Sequence, residues 1–341
     1  MEEIQDANIL WLRPTKGDNI SVGRERIAEH LERRGLSVTI QDSSGIDLIK
    51  AVKEAVSNDY EVIIGTTRVG LYIGYLLSKF LRIGFIADVA DPIEQIQYLP
   101  AKIYAFFCWY ETQVLKRSNQ QVFFYQSSLD RAKKNGISGI KLHNGVDYEK
   151  FANPDRDSVS VSESILHRCG VDTNGLVTMY IGGLSHRYHI KEIIEAAEES
   201  PDWQFVFIGL GECEELINDA AERMDNVFFP GSFEYHLIPG FLSHATVGLC
   251  LVDAEQPLKV LEYGAASLPT IAIHGELADR FSNDELLFIR PNPKEISEAL
   301  EKLSMDNSIR KQYGKNLRKC SKEYSWSDIA QTYFELINEV K

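Results

Sequence analysis

The sequence predicts an α/β protein built from two doubly wound parallel-sheet domains that face each other across a cleft. Three observations predict this fold. The length of 341 residues suits two domains better than one. Short apolar runs alternate with helical segments, which is typical of parallel sheets covered on both faces. The alternation stops at a polar stretch and then restarts, so each half has its own sheet, and the carboxyl ends of both sheets would line the cleft.

The first predicted domain spans residues 1–150. Its first strand is ANILWLR, and a polar loop then leads to a helix from about Arg24 to Arg34. Four more strands and a short closing one follow, each separated from the next by a helix: SVTIQD, EVIIGTT, IGFIADV, QVFFYQS and GIKLHNGV. An aromatic-rich helix over residues 102–118 stands before the fifth strand. This order predicts a complete Rossmann-like unit.

The second predicted domain spans residues 151–323. Residues 147–162 are polar and contain Pro154, which indicates a connection between the domains. The strands that follow are LVTMYIGGL, WQFVFIGLG, NVFFPGSF, ATVGLCLVD and TIAIHG. The last segment, 324–341, has apolar residues at helical spacing. We expect it to form a helix that packs back on the first domain.

Charge and cysteine content narrow the class of protein. The formal net charge is −14. Residues 1–150 hold 19 basic and 19 acidic side chains, so residues 151–341 hold 17 and 31 and carry the whole excess. No basic half exists to neutralise phosphates, which argues against a nucleic-acid partner. The five cysteines form no CxxC motif, and the acidic first residues do not suit a secretory signal, so we expect a cytoplasmic protein.

The segment PLKVLEYGAASLPTIAI holds the most informative pair of charges. If a helix begins near Pro257, Lys259 adds a cation to its first turn, and Glu262 lies one turn later. Helix N-termini favour anions, so a phosphate could bind there while Glu262 accepts hydrogen bonds from a ribose diol. The alternative is an exposed ion pair worth a few tenths of a kcal/mol.

Three other loops favour the ligand interpretation. IGGLSHR (181–187), IGLGE (208–212) and PGSF (230–233) each follow a predicted strand of the same half. Glycines there allow a backbone to approach a ligand closely. Four ligand loops at one sheet edge are more informative than any one of them.

The chain resembles the retaining, glycogen-synthase-like glycosyltransferases of GT-B fold, often called family 4 or glycosyltransferase group 1. HNGVDYEKF, MYIGGLSHRYHIKEIIEAA, FVFIGLGE, NVFFPGSF, PLKVLEYGAASLPTIAI and YSWSDIAQTYFELI occur in the order and spacing of that family's motifs. The resemblance implies a GT-B fold, an acceptor side in the first domain and a nucleotide-sugar donor side in the second. It implies no cofactor beyond a UDP- or GDP-linked sugar as co-substrate.

The resemblance also assigns roles to residues. Glu262 would hold the donor ribose, while Lys259 and Arg187 would neutralise the diphosphate. The remaining donor-binding positions contribute backbone: Gly182, Gly183 and Gly211 beside the phosphates, Ser232 and Phe233 at the base, and Gly17 from the first domain. In the first domain, either Asp88 or Asp91 takes over part of the family's catalytic role, or the chemistry needs no side chain there.

Three departures from the family pattern bear on turnover. Gly183 and Tyr188 stand where the family has an arginine and a lysine, so the diphosphate would have to rely on Arg187, Lys191 or Lys259. Ala254 replaces the first of two carboxylates, and Glu255 next to it is a candidate substitute. In the first domain Ala90 stands where many members carry a histidine between Asp88 and Asp91. Nucleotide binding is compatible with these changes, and a silent binding protein or partner subunit remains an alternative.

The predicted reaction is metal-independent transfer of a sugar to an acceptor hydroxyl with retention, in polysaccharide, glycolipid or protein-glycan assembly. A nucleotide-sugar epimerase on the same fold is a further alternative. Asp155-Arg156-Asp157 is interpreted as a solvated loop rather than a metal motif, and His186 and His189 lack a third ligand in the sequence. The aromatic helix ends in Lys116-Arg117, so it either rests on the inner membrane face, where it would meet a lipid-linked acceptor, or is a core helix.

Overall fold

The computed structural model describes residues 7–14 and 19–341, and for residues 19–22 it describes the backbone alone. The chain divides into two compact units. Unit 1 holds the residues up to Gly145 together with Trp326–Lys341, and unit 2 holds Val146–Ser325. Both domain boundaries of the sequence analysis fall a few residues inside unit 2.

Unit 1 contains a six-stranded parallel sheet with the strand order β2-β1-β3-β4-β5-β6. Its strands are β1 (Asn8–Arg13), β2 (Ser37–Asp42), β3 (Val62–Thr66), β4 (Gly84–Val89), β5 (Gln120–Phe123) and β6 (Ile140–Lys141). Strand β3 is buried along its whole length, as expected for a parallel strand covered on both faces.

Five helices connect these strands: α1 (Asn19–Glu32), α2 (Asp47–Ser57), α3 (Thr67–Leu81), α4 (Ala101–Leu115) and α5 (Gln126–Lys134). Helix α1 begins at Asn19, before the predicted start at Arg24. Gly23 in this helix packs closely on Trp326, because a Cβ there would lie 3.1 Å from Cη2 of the indole. The predicted polar loop is therefore helical over its second half.

Unit 2 contains a second six-stranded sheet with the order β12-β11-β10-β7-β8-β9 and parallel pairing. Its strands are β7 (Leu176–Ile181), β8 (Trp203–Ile208), β9 (Val227–Gly231), β10 (Val247–Cys250), β11 (Thr270–Ile273) and β12 (Leu287–Ile289). The two sheets flanked by helices confirm the predicted α/β class with two doubly wound units.

Within the described residues, unit 2 contains eight helices, and the sequence analysis did not predict five of them, namely the first two, the fifth and the last two. In chain order the eight are α6 (Tyr148–Ala152), α7 (Arg156–Arg168), α8 (Ile190–Glu199), α9 (Glu214–Arg223), α10 (Ile238–Ser243), α11 (Leu258–Ala265), α12 (Pro293–Met305) and α13 (Asn307–Lys322). The predicted polar connection is wrong, because α6 and the first half of α7 occupy it. The Asp155 carboxylate accepts a hydrogen bond from the Ser158 amide at 2.7 Å and so caps α7. Asp155 is therefore a helix cap and not part of a solvated loop.

The last helix, α14 (Trp326–Val340), lies within the predicted segment 324–341 and packs on α1. The Arg34 guanidinium donates to the Ser327 carbonyl at 3.1 Å, and the rings of Trp11 and Tyr333 are 5.0 Å apart. These contacts cover one face of the first sheet with α1 and α14. In the described part of the chain, no helix combines the length and apolar character needed to cross a bilayer.

Candidate donor site in unit 2

Four loops meet at the carboxyl edge of the second sheet. Neighbouring strands β10, β7, β8 and β9 are parallel, so the segments that follow their last residues leave from the same edge. This is the position at which doubly wound sheets bind ligands. The sequence predicted all four loops as candidate ligand loops, and the sheet order brings them together.

The glycines after β7 and β8 bring two of these loops into contact. A Cβ at Gly209 would lie 1.8 Å from the Gly182 carbonyl oxygen, and one at Gly211 would lie 2.2 Å from the Leu184 carbonyl oxygen. Gly209 and Gly211 also have φ values of +150° and +158°. Glycine is required at both positions, because a side chain would separate the loops.

Of the three glycines assigned to phosphate contact, two have engaged amides. The Gly182 amide donates to the Ile208 carbonyl at 2.9 Å, and the Gly211 amide donates to Glu214 Oε1 at 2.7 Å. Gly183 is exposed, and its N–H has no partner in the described part of the chain. The Gly183 amide is thus the one available to a ligand.

Helix α11 is fixed against the end of β7 by a buried tyrosine. The amide of Ile181 donates to the Tyr263 hydroxyl at 3.0 Å. On the same helix, a Cβ at Gly264 would lie 2.0 Å from Ser321 Oγ on α13. The small residue is therefore needed for the close packing of α11 on α13, and this packing directs the first turn of α11 toward the glycine loop.

Lys259 lies in that first turn as a buried cation. Its side chain is among the buried polar groups, with 8% of its surface exposed. The ammonium Nζ donates to the Tyr180 hydroxyl at 2.8 Å, and a Cβ at Gly182 would lie 3.1 Å from Nζ. Burial lowers the pKa of Lys259 to about 8. Within the described residues no carboxylate forms an ion pair with it, so the exposed Lys259–Glu262 ion pair that stood as the alternative to a ligand site is absent.

Aromatic rings take the place of an anionic partner for Lys259. Its Nζ lies 4.0 Å from the ring centroids of both Tyr180 and Tyr188. Arg187 lies over the ring of Tyr188 at 5.2 Å and is exposed. The tyrosine that stands at the family's lysine position therefore contacts both candidate diphosphate-binding cations.

Glu262 is half-buried one turn further along α11. The Tyr235 hydroxyl donates to its Oε1 at 2.8 Å. Burial raises the pKa of Glu262, and the hydrogen bond from Tyr235 and the charge of Lys259 oppose that shift. The carboxylate is oriented before any ligand arrives, which suits a group that accepts hydrogen bonds from hydroxyls.

The remaining predicted donor residues lie after β9. Ser232 is exposed, whereas Phe233 is half-buried, with its ring 4.7 Å from that of Phe241. Phe233 therefore anchors the loop and leaves the neighbouring backbone at the sheet edge. A further residue, Arg280, donates to the Glu255 carbonyl at 2.6 Å and to Gln256 Oε1 at 3.0 Å, and so fastens the segment before α11.

Sequence reasoning assigned no role in this site to four tyrosines, namely Tyr180, Tyr188, Tyr235 and Tyr263. The sequence contained one indication that Tyr180 makes a specific hydrogen bond. It stands in the apolar run LVTMYI, and a buried tyrosine hydroxyl needs a hydrogen-bond partner. Its partners are the Gly183 carbonyl, which accepts at 2.5 Å, and Lys259. The pairing of Tyr235 with Glu262 depends on the loop after β9, which gave no such signal.

In unit 1, Asp88 occupies a position that disfavours the predicted catalytic role. The carboxylate is fully buried at the end of β4, and the Arg24 guanidinium donates to both of its oxygens at 2.6 and 2.7 Å. The Thr66 hydroxyl also donates to it at 2.7 Å and accepts from the Trp11 indole. A carboxylate with these partners supports the sheet and is not accessible to a substrate.

Asp91 and Gly17 are the other two candidate site residues predicted in the first domain. Asp91 is half-buried after β4 and accepts a hydrogen bond from Gln95 at 3.1 Å. Gly17 lies outside the described residues.

One group of side chains near the donor loops has the composition of a metal site. Ligand atoms of His186, Glu212 and Cys213 all lie within 4.8 Å of one another. His186 Nδ1 is 3.6 Å from Cys213 Sγ, and the His186 amide donates to Glu212 at 3.0 Å. The expectation that His186 has no third ligand nearby is therefore wrong, although burial raises the pKa of Cys213, which disfavours the thiolate that metals prefer.

Comparison with known proteins agrees with this architecture. Residues 163–320, most of unit 2, match the family described as Glycosyl transferases group 1. The structure of Anabaena HepE, solved in complex with UDP and glucose, is similar over 98% of this chain and 100% of its own, with a TM-score of 0.75 and 15% identity. The fold is thus GT-B, and fold and family match together support the class of GT-B glycosyltransferases.

Two relatives are similar in sequence. TuaH of Bacillus subtilis, whose name assigns it to teichuronic acid biosynthesis as a glycosyltransferase, is 29% identical over 38% of this chain. Alpha-maltose-1-phosphate synthase of Mycolicibacterium smegmatis is 25% identical over 58% of this chain. The matched regions span 33% of the first relative and 56% of the second.

Proposed function

We propose that the protein transfers a hexose from a nucleotide-diphosphate sugar to an acceptor hydroxyl, with retention at the anomeric carbon and without a metal. The observation that carries the proposal is the burial of the Lys259 ammonium without an anionic partner among the described residues. A buried cation without an anionic partner is costly, and an anionic ligand would compensate it. Gly183 offers an amide at the same edge, and Arg187 adds an exposed cation. A diphosphate matches this set of groups.

In the proposed reaction the bond between the anomeric carbon and the diphosphate oxygen breaks. A bond from the acceptor oxygen to the same face of the sugar forms, and the acceptor proton passes to the departing diphosphate or to water. Lys259 and Arg187 stabilise the charge that develops on the leaving group. Glu262, held by Tyr235, accepts hydrogen bonds from the ribose hydroxyls and fixes the donor in register.

The comparisons support the substrate class. HepE was solved with UDP and glucose, and the two relatives are named for glycan-forming reactions. We therefore propose UDP-sugars as the first donors to test, with GDP-sugars second. The proposed setting is polysaccharide, glycolipid or protein-glycan assembly in the cytoplasm.

A two-part experiment tests the proposal. The first part records the melting temperature with UDP, GDP and ADP and with their sugars, and we expect stabilisation by one uridine or guanosine set. The second part incubates the stabilising donor with the protein and separates the products. Transfer or slow hydrolysis would release free nucleotide. An isomerised donor would favour an epimerase, and binding without turnover would favour a silent partner.

Addition of EDTA tests whether the proposed reaction is independent of a metal ion. We expect EDTA to leave the release of nucleotide unchanged, because cationic side chains supply the charge that a metal would bring. The group of His186, Glu212 and Cys213 provides the contrasting case. If EDTA abolishes release and a His186→Ala variant is equally inactive, that group holds a required ion and the metal-free proposal is wrong.

A further inference from the structure

We propose that the outer face of helices α3 and α4 in unit 1, extended by α2, binds an anionic lipid surface. Among the described residues, fifteen large apolar side chains are exposed, and eleven of them lie between residues 46 and 109. Nine of the eleven belong to these three helices: Ile49, Val52 and Val56 on α2, Val69, Leu76 and Phe80 on α3, and Ile103, Phe106 and Trp109 on α4. Such a concentration marks an interaction surface.

The three helices form one layer on the first sheet. Helices α2, α3 and α4 lead from β2 to β3, from β3 to β4 and from β4 to β5, and in the sheet order these steps all run in the same direction. Right-handed crossovers in one direction lie on one face of a sheet. Helix α1 steps the opposite way and lies with α14 on the other face. Contacts of α2 with α3 and of α3 with α4 make the layer continuous.

Helix α4 divides sharply into a buried and an exposed side. Val114 and Leu115 are buried, whereas Phe106 is 55% and Trp109 58% exposed. The rings of Phe106 and Tyr110 stack at 6.0 Å with an interplanar angle of 11°. The core-helix alternative therefore accounts for one side of α4 only. An exposed, preformed aromatic cluster that includes tryptophan is typical of side chains at a membrane interface.

The charges on this face identify the partner. Within α3, α4 and the two residues that follow each in sequence, the acidic side chain is Glu111, which is buried and pairs with Arg131. The exposed charged side chains there are all basic: Lys79, Arg82, Lys102, Lys116 and Arg117. Residues 151–341 carry the whole net charge of −14, so an anionic surface would repel the second half of the chain, whereas residues 1–150 are balanced in charge. Each such cation contributes about 1 kcal/mol near an anionic leaflet.

The helix dipole does not explain the positions of all of these cations. Basic residues near the last turn of a helix interact well with its dipole, which accounts for Lys79 and Lys116. Lys102 lies in the first turn of α4, where the dipole disfavours a cation. A second copy of the chain is also a poor partner, because a two-fold contact would place like charges against each other.

The experiment uses the full chain and vesicles of two compositions, phosphatidylcholine alone and phosphatidylcholine mixed with phosphatidylglycerol. We expect co-sedimentation with the mixed vesicles and not with the neutral ones, and release on adding salt. Binding of equal strength to both, or to neither, would overturn the proposal.

Matched charge reversals locate the surface. The double variant Lys102→Glu/Lys116→Glu should bind mixed vesicles at least about thirtyfold more weakly, from two lost cations. The double variant Lys311→Glu/Lys315→Glu changes the net charge equally at two exposed positions of α13 and should bind like the parent. If both pairs weaken binding equally, net charge rather than this face controls it, and the proposal fails.

Tryptophan fluorescence reports on the face directly. Of the four tryptophans, Trp11, Trp203 and Trp326 are buried, so quenching by acrylamide reports mainly on Trp109. Mixed vesicles should reduce this quenching, and a Trp109→Phe variant should lose the signal. Unchanged quenching in the presence of vesicles, or self-association that Trp109→Ser abolishes, would overturn the proposal. Nucleotide-induced stabilisation of these variants should match the parent, which keeps this test separate from the donor site.

Discussion

The Lys259 ammonium and the Tyr180 hydroxyl form a hydrogen bond of 2.8 Å at the start of α11, and the lysine Nζ lies 4.0 Å above the ring of the same tyrosine. Tyr180 donates in turn to the Gly183 carbonyl at 2.5 Å. One tyrosine thus links the buried cation to the glycine loop. The donor proposal depends on this link, because it holds a positive charge beside an accessible backbone amide.

Replacing Lys259 by methionine should change stability and binding in opposite directions. Removal of an uncompensated buried charge should raise the melting temperature of the unliganded protein. Nucleotide affinity should fall about tenfold to hundredfold, since hydrogen bonds to charged groups contribute about 1.5–3 kcal/mol. Calorimetry and thermal unfolding measure the two effects. Lys311→Met, at an exposed lysine of α13, is the control and should change neither. Unchanged affinity in Lys259→Met would remove the main support for the donor site.

Nucleotide binding should weaken with rising pH. The pKa of Lys259 is lowered to about 8, so the free protein loses this positive charge above pH 8. Affinity for a UDP-sugar should therefore be about tenfold lower at pH 9.5 than at pH 7, whereas Lys259→Met should show no such slope. The bound diphosphate favours the charged lysine, so binding near pH 9 should take up a proton. Titration calorimetry in two buffers of different ionisation enthalpy detects that uptake, and its absence would contradict the assignment.

The lowered pKa of Lys259 also predicts how the stability of the fold depends on pH. Because the folded pKa lies below the ordinary value of 10.5, the charge of Lys259 destabilises the fold fully below pH 8. This penalty decreases as pH rises toward 10.5. The stabilisation gained by Lys259→Met should accordingly be largest at neutral pH and shrink in alkaline buffer, as denaturant unfolding at several pH values would measure.

Tyr180→Phe should weaken nucleotide binding by less than Lys259→Met does. The phenylalanine ring still contacts the cation, but Nζ loses its acceptor and the Gly183 carbonyl loses its donor. We expect a loss of about fivefold to tenfold, typical of one hydrogen bond. Tyr188→Phe keeps the ring under Lys259 and Arg187 and should be nearly neutral. In a double-mutant cycle Tyr180→Phe and Lys259→Met should not be additive. Full additivity would mean that the tyrosine does not act through the lysine.

Removal of the Glu262 carboxylate should affect recognition of the ribose hydroxyls rather than of the phosphates. The parent should bind UDP more tightly than 2′-deoxy-UDP, because a carboxylate hydrogen bond to a lost hydroxyl contributes about 1.5–3 kcal/mol. Glu262→Ala should bind both nucleotides with similar, lower affinity. Tyr235→Phe frees the carboxylate that it now orients and should reduce the preference partly. A Glu262→Ala protein that still discriminates against 2′-deoxy-UDP would show that another residue holds the ribose.

Asp88→Asn should destabilise unit 1 rather than slow chemistry alone. Breaking a buried pair leaves the Arg24 guanidinium without its counterion, at a cost of about 3–5 kcal/mol. Denaturant unfolding measures this loss, and Asp91→Asn, at the half-buried neighbouring carboxylate, serves as the comparison. An Asp88→Asn protein of parental stability but without turnover would restore the catalytic role that the sequence predicted.

The sequence by itself determined most of the strand and helix alternation, the first parallel sheet, five of the six strands of the second sheet and the four loops at its carboxyl edge. It did not predict the edge strand β12. The predicted elements follow from local patterns, since apolar runs, glycines after strands and a helix-start signal each act over a few residues. It also placed Lys259 and Glu262 on one helix. The start of α1 and the helices within 147–162 were not predicted, because their composition is polar. In α7 the cap by Asp155 favours the helix despite that composition.

Tertiary structure decided what those residues contact. Tyr180 and Lys259 are 79 residues apart, and Arg24 and Asp88 are 64 apart, so no local pattern reveals either pair. The fold buries Asp88 in an ion pair with Arg24, which disfavours its catalytic role, and it places Lys259 against the rings of Tyr180 and Tyr188. The sequence left open whether α4 is a surface helix or a core helix, and only the fold showed that Phe106 and Trp109 are exposed, because an aromatic residue has the same hydrophobicity whether the fold covers it or not.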